Sequence, residues 1–167
     1  RNTGMDIQSP RAVEILRSAG ADVDPDGQRV RFDSDFIMEK ISTTPSEFTL
    51  HGRHAERHVN VGGRSVVYSI VASTPNVSDL DRGRIPGNFE DYCNLIRLGE
   101  HLNTVHAHGG YPVEPCDVDV SIRHLKAVSA MARLSTKPLH GYALGSERML
   151  DAIEIVRISR GIDEATL

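Results

Sequence analysis

Histidine is the residue type whose number and spacing first suggest chemistry in this chain. Eight occur among 167 residues. Imidazole can bind a metal, pass a proton near neutral pH, or donate to a carboxylate. His106 and His108 form a His-x-His pair. On a strand, residues i and i+2 point to one face. At the C-terminal end of a barrel strand such a pair would face an active site, and metal-dependent hydrolases on barrels use one. Metal ligation, substrate contact and no role at all are open readings for it. His51, His54 and His58 stand three and four residues apart. On a helix they would share a face and suit zinc. Their neighbours, Leu50-His51-Gly52-Arg53 and Val59-Asn60-Val61, read as strand or loop instead. A polar connection between strands is the plainer expectation.

His140 and Tyr142 flank Gly141 at the end of an expected strand. They either line a site or sit buried with backbone partners. Asp79, Asp81, Arg82 and Arg84 lie in a loop that also holds Gly83, Pro86 and Gly87. Loops after strands are where α/β proteins place binding residues. There is no P-loop, no G-x-S-x-G elbow and no CxxC pair. Gly62-Gly63 and Gly109-Gly110 do not complete G-x-G-x-x-G. Nucleotide, serine-hydrolase and dinucleotide readings therefore lack support.

The elements that must position these residues are legible from caps and periodicity. Ser9-Pro10 is an N-cap followed by a proline at the first helical position, and a short helix to Ala19 follows, stopped by Gly20. The segment 23–30, with Asp26-Gly27 between two valine-containing arms, predicts a hairpin. Residues 34–42 predict a second helix, with Phe36, Ile37 and Ile41 on one side. Segments 48–50, 59–61 and 65–72 predict strands, with Gly62-Gly63 turning between the last two. The apolar run 65–72 reads as buried on both faces. Residues 74–87 read as a polar loop. Helices are expected at 88–102 (Asn88 as N-cap), 119–135 and 146–160 (Ser146 as N-cap), and a strand at 137–144. From residue 65 onward, strands and helices alternate, which predicts a parallel α/β sheet.

Composition bounds the class. The net charge is −4, from 19 Lys+Arg against 23 Asp+Glu. That balance argues against a nucleic-acid or anionic-membrane binder acting by bulk charge. Two cysteines, Cys93 and Cys116, make no disulfide framework, so a reducing, cytoplasmic setting is expected. No apolar run approaches the roughly 20 residues of a membrane-spanning helix. A complete (β/α)8 barrel needs roughly 250 residues, so at most about three units of one are expected here. The first Met is residue 5, and neither end reads as a natural terminus, so a piece of a larger protein is expected.

Ordered blocks add a family resemblance. They are Pro75-Asn76-Val77-Ser78-Asp79-Leu80-Asp81-Arg82-Gly83-Arg84, Asn88-Phe89-Glu90-Asp91-Tyr92, Gly109-Gly110-Tyr111-Pro112-Val113-Glu114-Pro115-Cys116-Asp117-Val118, Lys137-Pro138-Leu139-His140-Gly141, and Glu147-Arg148-Met149-Leu150-Asp151-Ala152-Ile153-Glu154. With the opening helix, hairpin, helix and T-P-x-x-F segment, they resemble the trimethylamine methyltransferase family over nearly the whole chain. The resemblance implies an N-terminal α+β cap (1–64), then the first units of a (β/α)8 TIM barrel (65–167). It implies a corrinoid-dependent methyltransferase that moves a methyl group from a tertiary or quaternary amine, trimethylamine or a betaine such as glycine betaine, to the cobalt of a separate corrinoid (cobalamin) protein. Some members carry pyrrolysine, at a position beyond Leu167. No resident cofactor or metal is expected, and the parent is expected to be a homo-oligomer. Strand-end position makes His106, His108, His140, Tyr142, Tyr68 and Arg84 the candidate substrate contacts, with Tyr111 as a further aromatic wall. This chain alone is expected to be inactive. A hydrolase using His106/His108 and a non-catalytic binding or assembly piece are the alternatives.

Overall fold

The computed structural model describes residues 3–25, 27–141 and 144–162. Among the described residues, five α-helices and several small sheets make a mixed α/β fold. The chain divides into two compact units, Arg1–Ser46 and Glu47–Leu167.

The first unit follows its local signals. Helix α1 (Pro10–Ser18) starts where the Ser9 hydroxyl accepts from the Ala12 N–H at 3.4 Å. It ends in a Schellman motif: Gly20 takes φ +97°, its N–H bonds the Arg17 carbonyl, and the Ala21 N–H bonds the Leu16 carbonyl, each at 3.0 Å. Strands β1 (Met5–Asp6), β2 (Asp22–Val23) and β3 (Arg29–Arg31) form an antiparallel sheet in the order β1-β3-β2. The expected hairpin is β2–β3, and its Asp26 lies outside the described residues. Val30, on the central strand, is fully buried. Helix α2 (Ser34–Ser42) is capped by Asp33, whose carboxylate accepts from the Asp35 N–H at 2.9 Å.

In the second unit, β4 (Glu47–Leu50) pairs antiparallel with β5 (Val59–Gly62). Gly62-Gly63 thus turns the chain out of this hairpin and not into a pairing of β5 with 65–72. The long apolar strand is also corrected: only β6 (Ser69–Ile70) is strand. Val66, Tyr68 and Val71 are exposed, since the run pairs only over Ser69 and Ile70. Ile70 packs on the core. The expected polar loop 74–87 is in fact a hairpin, β7 (Asn76–Asp79) with β8 (Gly83–Pro86).

Helix α3 (Phe89–His101) follows, with the Asn88 side chain accepting from the Asp91 N–H at 2.9 Å. The chain then returns in β9 (Ala107–His108), which lies parallel to β6 in the register Ser69↔Ala107 and Ile70↔His108. This is a β-α-β crossover. Helix α4 (Val120–Leu134) comes next, capped by Asp119. No strand is assigned among the described residues of 137–144, yet the His108 N–H donates to the Pro138 carbonyl at 3.1 Å. The chain after α4 therefore lies along β9. Helix α5 (Ser146–Arg160) closes the described part. Its cap position is Gly145 and not Ser146, and no side chain caps it. The core lies between α3, α4 and the 111–113 segment: Tyr92, Cys93, Ile96, Tyr111, Val113, Ala127, Ala130 and Met131. The Tyr92 hydroxyl donates to the Ala127 carbonyl at 2.9 Å, which satisfies the one polar atom of a fully buried ring. Among the described residues the strands do not close into a barrel.

Candidate functional site

In a parallel α/β layout the binding face is at the C-terminal ends of the strands. Here that face holds residues 71–74 after β6, 109–111 after β9, and His140-Gly141. The first two segments are laced together. The Ser73 N–H donates to the Tyr111 carbonyl at 2.8 Å, the Thr74 hydroxyl donates to the Pro112 carbonyl at 2.6 Å, and the Glu114 N–H donates to the Thr74 carbonyl at 2.8 Å. Ser73 takes φ +66°, and among the described residues no other non-glycine has positive φ. A side chain in that region costs roughly 1–2 kcal/mol, so the surrounding bonds impose it. Space is tight at Gly109: a Cβ there would stand 3.0 Å from the Ile70 carbonyl oxygen and 3.1 Å from the Ser69 hydroxyl.

The candidate residues separate into distinct places. Tyr68 and His106 meet at the strand starts, since each precedes its strand. The Tyr68 N–H donates to His106 Nδ1 at 3.0 Å, and the two rings lie 5.8 Å apart. His108 turns elsewhere. It is 2% exposed and packs on α3, where a Cβ on Gly99 would come within 3.1 Å of its Cε1. His106 and His108 are therefore not a convergent pair. Among the described residues, no group of three or more His, Cys, Asp or Glu is placed to hold a metal. Arg84 is exposed on β8. Tyr111 is buried edge-on against Tyr92, with ring centroids 5.6 Å apart. Tyr142 lies outside the described residues.

His140 is exposed at the mouth of an apolar cleft of about 290 Å³, walled by Val128 and Met131 of α4 and by Met149, Ala152 and Ile153 of α5. The cleft brings His140 to solvent beside an apolar wall.

The Asp and Arg residues of the β7–β8 hairpin build a hinge-free turn. The Asp79 carboxylate accepts from the backbone N–H groups of Asp81 (3.0 Å) and Arg82 (2.7 Å). Arg82 then spans from Asp79 to both Asp91 oxygens, at 3.0 and 2.8 Å. The Arg82 guanidinium holds the Asp91 carboxyl below the usual carboxylate range.

A second polar group, at the other end of α3, was invisible in the sequence. His108 Nε2 meets the Ser135 hydroxyl at 2.8 Å, and that hydroxyl donates to Glu100 Oε2 at 2.7 Å. Ser135 has one proton and gives it to Glu100, so the imidazole is the donor at Nε2. Its Nδ1 is then an acceptor, buried without a hydrogen-bond partner among the described residues. Burial, then the neighbouring Lys137 charge, pushes the His108 pKa down to about 4. Lys137 is itself 2% exposed, and its ammonium donates to the Gly99 (2.5 Å) and Leu102 (2.8 Å) carbonyls at the end of α3. Burial raises the Glu100 pKa, but donors from Thr136 and Ser135 outweigh it and leave the carboxyl below its ordinary value. These contacts span 27 to 38 residues, beyond any local spacing rule.

Comparison with known proteins places the chain. The family model described as trimethylamine methyltransferase (MTTB) matches residues 1–166. A glycine betaine methyltransferase of Desulfitobacterium hafniense is 33% identical over 158 residues, covering 95% of this chain and 33% of its own length. A trimethylamine methyltransferase from another strain of that organism is 26% identical over 121 residues, covering 72% of this chain and 24% of its own. The chain thus spans a third or less of the length of these curated relatives.

Proposed function

The chain belongs to the trimethylamine methyltransferase family, and from that premise we propose that it is a portion of an enzyme moving a methyl group from a quaternary or tertiary amine to a corrinoid on a separate protein. A betaine is the favoured substrate class. The observation that carries this is the 33% identity to a glycine betaine methyltransferase across 95% of the chain. The parallel β6–β9 crossover, the Pro138 carbonyl bonded to β9, and the intervening helices α3 and α4 support reading 65–167 as the start of a (β/α)8 barrel.

The chemistry sets the demands. The methyl carbon is attacked by cobalt(I) in line with the C–N bond. That bond's electron pair stays on nitrogen, which leaves neutral. An ammonium ground state is held by aromatic faces and carboxylates. Among the described residues little of that lies on the strand-end face: Tyr111 is buried, and Tyr68 is at the strand starts. The aromatic walls are assigned to the rest of the parent enzyme. His140 is this chain's contribution to the rim, as a donor for a betaine carboxylate.

The test is methyl transfer by the full-length parent from glycine betaine, and in parallel from trimethylamine, to cob(I)alamin. Transfer from glycine betaine is expected. Failure with every tertiary and quaternary amine tried overturns the reading. The 167-residue chain alone is expected to show none.

A further inference from the structure

Of the three histidines at 51, 54 and 58, His51 borders the same apolar cleft as His140, and the other two lie outside its lining. His51 and His58 are set in a defined geometry. Leu50 and Val59 are the last paired residues of the β4–β5 hairpin. His51 and His58 therefore emerge side by side, one step beyond the ladder. His51 Nδ1 stands 3.2 Å from His58 Nε2, with the rings nearly perpendicular. Two imidazole nitrogens bound at ~2.05 Å to one tetrahedral ion stand about 3.3 Å apart. The pair already has the separation that a shared ion requires.

The loop between them is anchored. Gly52 packs on the Arg57 backbone so closely that a Cβ would collide with it. A single 3-10 turn, Ala55–Arg57, closes the loop, with the His58 N–H on the Ala55 carbonyl at 3.1 Å. The Arg53 N–H holds the Thr136 carbonyl at 2.7 Å, and the Arg53 guanidinium holds that of Ala132. Arg160 donates to the His51 carbonyl at 3.3 Å. Both rings are exposed, so an ion reaches them without opening the fold.

We propose that His51 and His58 form a two-histidine site for a borderline divalent transition ion, Zn²⁺, Ni²⁺ or Cu²⁺, with water in the remaining positions. Imidazole nitrogen suits these ions, whereas Mg²⁺ and Ca²⁺ prefer oxygen. Arg53 and Arg160 place positive charge nearby, so affinity comes from coordination and not from field. Binding replaces the imidazole–imidazole hydrogen bond. The ring that donates it moves its proton to its other nitrogen, and no proton leaves the pair. His54 is no ligand.

The experiment is calorimetric titration of the purified chain with Zn²⁺ and with Ni²⁺, metal alone, in a non-chelating buffer. One ion per chain is expected, with no binding of Mg²⁺. His58→Gln keeps a hydrogen-bonding side chain at the position, and it should weaken binding about tenfold or more, as should His51→Ala. His54→Ala and His106→Ala should bind like the parent chain. Circular dichroism on each variant confirms the unchanged fold. No saturable Zn²⁺ or Ni²⁺ binding below 1 mM overturns the proposal. So does binding that survives in both His51→Ala and His58→Gln, or that His54→Ala abolishes. The outcome does not depend on the methyl-transfer reading.

Discussion

Helix α3 is held at its two ends by polar networks of opposite character. At the N-terminal end, Asp79, Arg82, Asn88 and Asp91 form a cluster in which one guanidinium bridges two carboxylates, open to solvent on the Arg82 side. At the C-terminal end, Lys137, Ser135 and His108 are buried, and the partly exposed Glu100 accepts from Ser135 at their edge. The first complements the helix dipole with carboxylates in the first turn, and the second with a cation on the last carbonyls. The difference is dielectric. Water screens the exposed pairs, so each is worth little. Burial shields Lys137, Ser135 and His108 from it, so any of these left unpaired costs its desolvation.

The comparison ranks the expected effects. Lys137→Ala should be the most damaging. It strands two helix-end carbonyls, removes the cation facing Glu100 and leaves a cavity, for a loss of about 3–5 kcal/mol. Urea unfolding of the chain measures it, and a loss under about 1 kcal/mol would show that water enters this end of α3.

Acid should act through His108. Its folded pKa of about 4 lies below the reference value of 6.5. The unfolded chain therefore takes up the proton first. The stability is fully present above pH 6.5 and falls as the pH drops towards 4, by about 3 kcal/mol for the full shift. Carboxylates lose stability in part of the same range, so the His108 share is read as the difference between the wild type and His108→Gln, whose amide still reaches Ser135. Parallel curves between pH 6.5 and 4 would contradict the buried-neutral assignment.

Arg82→Ala comes next, with a smaller loss in the same urea unfolding. Arg82 is half-exposed, but Asp91 is left nearly buried without its cation. This loss should shrink in 0.5 M NaCl, while that of Lys137→Ala should not. Equal salt dependence would erase the distinction between the two ends. Leu80→Ser, at the fully exposed tip of the β7–β8 hairpin, should change stability by under about 0.5 kcal/mol in the same assay.

The two ends also differ in how far the sequence revealed them. Caps act within three or four residues, so Ser9, Asn88 and the periodicity of α3, α4 and α5 located the helices. The Asp79-Leu80-Asp81-Arg82-Gly83 block was visible as a shaped segment, since its bonds are local. Its strands were hidden because β7 and β8 lack a clean apolar alternation. The pairing of β5 was misassigned because Gly62-Gly63 serves equally to turn a hairpin or to leave one. The Lys137 network could not be read at all. Lys137 looked like the start of a strand, and its partners Gly99 and Leu102 are brought to it only by packing α3 against α4. His108 was selected for its spacing from His106, but alternation alone does not say which strand face meets a helix and which meets a ligand.

The proposed methyl transfer takes place at the C-terminal ends of the parallel strands. His140 lies at that face, and His106 lies at the opposite one. The most direct measurement is kcat/KM of the full-length enzyme for methyl transfer from glycine betaine to cob(I)alamin, in His140→Ala and His106→Ala. The account predicts a fall of about tenfold or more for His140→Ala and a change within about twofold for His106→Ala. The reverse order would place the substrate at the strand starts and contradict it.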